Sequence, residues 1–124
     1  MENRMNIYGF PHKGLRNALG QLSLALSAIN VEDTEQVDQV HDLAQEISEL
    51  LKLHLHSEEA HVLPPLEKAV PGSTAHNHED HLAMEKLEHD MMEAVAALKA
   101  TPNAMTANQA YNAVNLFIRE YFRH

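Results

Sequence analysis

Ten histidines stand in a chain of 124 residues that contains no cysteine. Without thiols there is no disulfide framework, no cysteine nucleophile and no iron–sulfur cluster, so any metal must be held by imidazole nitrogens and carboxylate oxygens. Such a donor set suits iron, zinc or manganese. The placement of several histidines is more telling than their number. Between residues 37 and 58, Val37, Val40, Ala44, Ile47, Leu51, His54 and Glu58 alternate three and four apart. That spacing keeps one face of a helix against a core, so a histidine and a carboxylate continue an otherwise apolar seam. A single histidine on such a stripe is ordinarily a core residue hydrogen-bonded to a neighbour. His54 with Glu58 has an equally plain reading, as a pair one turn apart at the mouth of the core.

Similar stripes occur in the rest of the chain. His12, Leu15, Leu19, Leu22, Leu26 and Ile29 form one, beginning with a histidine. Ala107, Ala110 or Tyr111, Val114, Phe117, Tyr121 and His124 form another, ending with one. A less regular stripe runs through Met84, Leu87, Met91, Ala94 or Val95 and Leu98. Stepping back in threes from Met84 reaches His81 at its edge and His78 further round, since three residues turn the helix about 60° off the stripe.

These stripes need helices to carry them, and the breakers say where the helices end. Pro11 opens a first segment that runs to about Asn30; a second starts after Asp33 or Thr34 and reaches about Val70, with Pro64 and Pro65 kinking or ending it early. A third runs from about Ser73 to Ala100, after the Pro71-Gly72-Ser73 turn, and a fourth from about Thr106 to the chain end, after Thr101-Pro102-Asn103. Composition agrees with helix: 44% of residues are hydrophobic, but 5% are aromatic and there is no Trp. The expectation is a single all-α domain over 1–124, an antiparallel up-down-up-down four-helix bundle with short connections. In that topology His12, His54, Glu58, His81 and His124 all fall at the same end. Buried there unpartnered, each polar group would cost about 1–3 kcal/mol. A shared metal ion removes the penalty.

The motifs Pro11-His12-Lys13-Gly14-Leu15-Arg16, His54-Leu55-His56-Ser57-Glu58-Glu59 with Leu63-Pro64-Pro65-Leu66-Glu67, His78-Glu79-Asp80-His81 and Phe117 to His124 occur in an order that resembles the hemerythrin-like, or His-His-Glu cation-binding, domains. The resemblance covers nearly the whole chain. It implies a four-helix bundle with a metal centre, usually two irons, held by His12, His54, Glu58, His81 and His124, with Glu58 bridging. Two departures from the family pattern stand out. The residue four before His81 is Asn77, which leaves His78 as a stand-in ligand. The family's fourth helix continues to a second carboxylate about a turn past its histidine, whereas this sequence stops at His124. The stop in mid-helix favours truncation over a smaller single-metal site or one completed by another chain or by exogenous ligands.

Carboxylate bridging and five or more ligands favour two irons per chain over tetrahedral zinc, with another divalent metal as the alternative. The expected function is binding or sensing of dioxygen, nitric oxide or a related small oxidant, in a dry pocket lined by Leu15, Leu51 and Phe117. The alternatives are an iron-dependent peroxide-consuming enzyme, an iron donor for repair, and a structural bundle with adventitious metal. No acid, base or nucleophile set independent of the metal is visible, so a binding protein is expected in preference to an enzyme. A net charge of −9 opposes nucleic-acid binding. No run of about 18 apolar residues and no apolar leader is present, so a cytoplasmic protein without membrane contact is expected. Helical bundles often pair, and a homodimer is a further expectation. His41, His76 and His89 read as solvated, His56 as surface, His61 as packing and the methionines as core filler. The acidic residues off the stripes read as a solvated face.

Overall fold

Leucines at 15, 19, 22 and 26 are buried on one side of the first helix, as their spacing requires. The computed structural model describes residues 11–57, 63–72 and 75–123, and every regular element among them is helical. In chain order these are α1 (Pro11–Ser27), α2 (Thr34–Ser57), α3 (Leu63–Ala69), α4 (Ala75–Ala100) and α5 (Ala104–Arg123). Among the described residues five helices thus stand where four were expected. The segment read as one long second helix is described as α2 and a separate α3, with Pro64 and Pro65 in the first turn of α3, where a missing N–H costs no intrahelical bond.

Local chemistry fixes the helix starts. Asp33 Oδ1 accepts from the backbone N–H of Glu35 at 3.0 Å and of Gln36 at 3.4 Å, capping α2. At α5 the capping is reciprocal: Asn103 Oδ1 accepts from Thr106 N–H at 2.8 Å, and Thr106 Oγ1 accepts from Asn103 N–H at 3.1 Å. This is a capping box with threonine in the place usually held by Glu or Gln. α5 therefore begins two residues earlier than the sequence suggested. After α3 the chain turns at Gly72, whose φ of 87° favours glycine and whose N–H donates to Glu67 Oε2 at 2.5 Å.

Helix α1 packs against α2 and α5, α2 against α4, and α4 against α5, closing a ring around one core. Two pairs can be oriented from their contacts. Ser48 and Asp38 of α2 meet Glu88 and Lys99 of α4, so these helices run antiparallel. Ser23 and Arg16 of α1 meet Asn115 and Phe122 of α5, the same relation. The core consists of the expected stripes, from Leu15 to Leu26, Val37 to Leu51 and Ala110 to Tyr121.

The seam of α4 differs from its reading. Its buried residues are His81, Met84, Glu88, Met91, Val95 and Leu98, an unbroken three-four alternation, with Leu87 only partly buried. Glu88 therefore belongs to the core, not to the solvated face, and His81 lies on the seam itself. None of the helices among the described residues is long and apolar enough to cross a membrane.

Candidate metal centre

His81 is 2% exposed and is the first member of the α4 seam, whose other buried residues are apolar except for Glu88. His54 is half-buried, three residues beyond Leu51 on the seam of α2. Both have interaction partners within the protein. The packing of α2 on α4 sets their relative height. From the Ser48–Glu88 hydrogen bond, His54 lies six residues along α2 and His81 seven residues back along α4. At 1.5 Å per residue these are climbs of about 9 and 10.5 Å in the same direction, so the two backbones are level to within about 2 Å. The Asp38–Lys99 ion pair, 3.8 Å long, lies at the other end of the same register.

The remaining candidates are positioned less fully. His12 stands in the first turn of α1 and His78 in the first turn of α4; only their backbones are described. Glu58 and His124 lie outside the described residues, as does His61. Among the described residues no cluster of three or more His, Asp or Glu side chains is assembled. His89 is exposed, with Nε2 3.1 Å from Glu93, as a solvated histidine should be. His41 is not so placed: its side chain is 22% exposed and Nδ1 is buried without a hydrogen bond, 3.9 Å from Asp42 Oδ1. It lies two turns before Ser48, on the edge of α2 that meets α4, which explains why it is not solvated.

One layer below the histidines the core is closed. Leu15, Leu51 and Met84 each lie three residues inward from His12, His54 and His81, and are 0%, 2% and 6% exposed. Tyr121, 6% exposed, stacks on Phe117 with ring centroids 5.8 Å apart and planes inclined by 12°. The model of the hemerythrin HHE cation-binding domain matches residues 9–124. The chain belongs to that family. No curated protein and no solved structure matches it. The HHE domain binds a cation, and the described residues fit one here: a buried imidazole and a half-buried one at the ends of two core seams, no thiol, and an apolar layer of Leu15, Leu51 and Met84 next along the seams.

The residue that sequence reasoning missed is Glu88. The signal was present, since a strict three-four count from His81 passes through Met84, Glu88, Met91, Val95 and Leu98. Preferring the apolar Leu87 at that step hid it.

Proposed function

We propose that this HHE domain is an up-down-up-down four-helix bundle that holds two iron ions at one end and binds or senses dioxygen or nitric oxide there. His12, His54, Glu58, His81 and His124 would hold the metals, with His78 beside them. Support comes chiefly from His81, a buried imidazole level with His54 in a chain of a cation-binding family. When bound, iron supplies reversible coordination of a small diatomic ligand, which no side chain of this protein offers. The chain's own part is to orient the imidazoles and to keep water out. Leu15, Leu51 and Met84 form an apolar floor under the donors, and Phe117, 1% exposed, closes the core beside Tyr121. Apolar surroundings of this kind would favour binding over solvent-assisted release of a reduced oxygen species.

The test is metal analysis of untagged protein, with absorption spectra of the reduced form before and after admission of dioxygen or nitric oxide. About two irons per chain and a spectrum that returns on removal of the gas are expected. Iron-loaded protein that consumes peroxide steadily would replace this reading with an enzymatic one. Protein that takes up no iron would end it.

A further inference from the structure

Among the described residues three buried polar side chains lie outside the proposed ligand set: Thr106, which caps α5, and the pair Ser48 and Glu88. Ser48 of α2 is 4% exposed, Glu88 of α4 is 7% exposed, and the Ser48 hydroxyl donates to Glu88 Oε2. Their neighbours along the seams are Ala44, Ile47 and Leu51 on one helix and Met84 and Met91 on the other. A buried pair of this kind is weak as a source of stability, because apolar residues of similar volume often serve equally well or better. What it supplies is discrimination. Seams of Ala, Ile, Leu and Met remain apolar when one helix slides a turn along another, and methionine adapts to the new neighbours. Ser48 and Glu88 do not tolerate the slide: out of register each stands unsatisfied in the core, at about 1–3 kcal/mol apiece and more for a charged group.

Register is what a site built from two helices needs. A slip of one turn shifts α2 about 5.4 Å along α4, and would carry His54 that far from the level of His81. Metal–ligand distances tolerate about 0.2 Å. We propose that Ser48 and Glu88 are positioning residues for the metal centre: their buried hydrogen bond fixes the register of α2 on α4 and so holds His54 level with His81. The inference rests on the reading that those two histidines ligate the metal. The exposed Asp38–Lys99 pair lies in the same register, but with its side chains 59% and 47% exposed it is too solvated to enforce one.

The test uses the full chain and the variant S48A/E88L, which exchanges the pair for apolar side chains. Because the protein has no cysteine, introduced thiols report register cleanly. D38C/K99C joined by a short bifunctional thiol reagent reports the native register; T34C/K99C and D42C/K99C report slips of one turn in either direction. Cobalt(II) titration, followed by its visible absorption, reads the site. In S48A/E88L the thermal midpoint of the metal-free protein is expected to hold or rise, the offset crosslinks to gain at the expense of the native one, and cobalt affinity to fall at least tenfold. E88Q, which keeps an acceptor for Ser48, is expected to restore both the crosslink pattern and the affinity. An unchanged crosslink pattern in S48A/E88L overturns the proposal, as does unchanged cobalt affinity. Should that variant not fold, S48A alone, which removes only the donor, gives the same crosslink reading. If the parent protein takes up no cobalt, the ligand assignment fails by itself, and the crosslinks still decide whether the pair sets the register.

Discussion

Replacing His81 with leucine separates a ligand from a mere core residue. The side chain is 2% exposed and continues into Met84 along the α4 seam, so a leucine there is buried as completely. Burying it contributes about 1.5–3 kcal/mol, against about 1 kcal/mol for the hydrogen bonding that histidine loses. Metal-free H81L should therefore be as stable as the parent, or up to about 2 kcal/mol more so. Metal changes the comparison. A cation at a hundred times its Kd stabilises a protein that binds it only when folded by about 2.7 kcal/mol. For a domain of this length that corresponds to roughly 10 °C, at about 4 °C per kcal/mol. Thermal unfolding followed by circular dichroism, with and without iron(II) under anaerobic conditions, should show a rise of that order in the parent and none in H81L. If H81L keeps the full metal-dependent rise, His81 is not a ligand. If metal-free H81L loses several kcal/mol, the apolar description of its surroundings is wrong.

Two more perturbations test the frame that carries the site. Phe117→Ala empties a position 1% exposed and removes the stack on Tyr121, so a loss of about 3–5 kcal/mol is expected in denaturant unfolding, together with faster loss of bound metal to a chelator. Asn103→Ala breaks the reciprocal cap at the start of α5 and should cost about 0.5–2 kcal/mol; the decrease should be confined to stability, with cobalt affinity unchanged, because the cap lies at the far end of α5 from its last turn.

How far the sequence could be read depended on whether polarity and periodicity agreed. Where they agreed, as in Leu15 to Leu26 or Val37 to Leu51, the buried face follows directly from spacing. Gly72 and the proline pair at 64 and 65 marked boundaries, because their backbone chemistry is local. On α4 the two signals conflict: its core face carries His81 and Glu88 among apolar residues, so the apolar Leu87 attracted the reading one position off the seam. The capping box of α5 was overlooked because threonine holds the place where Glu or Gln is the usual signal. Of the candidate site, the place of His54 follows from the α2 seam, whereas His81 was expected at the edge of its stripe and lies on the seam itself. Their common level does not follow from either seam, since it comes from contacts between α2 and α4 at Ser48–Glu88 and Asp38–Lys99, which no single helix encodes.

That conflict on α4 is informative in itself. A bundle selected only for stability would fill positions 81 and 88 with leucine, since two buried polar side chains bring desolvation costs that hydrogen bonds only partly offset. Two such residues on one seam, seven apart and so on the same face, therefore need a reason beyond folding. For His81 the reason we propose is the cation, since the chain belongs to a cation-binding family. For Glu88, about 10.5 Å further along the same face, a direct place in that ligand set is ruled out by distance, since its carboxyl group is already bound to Ser48 of the neighbouring helix. What remains is its effect on α2: the hydrogen bond that ties Glu88 to Ser48 also determines which residue of α2 stands level with His81, and that residue is within one position of His54.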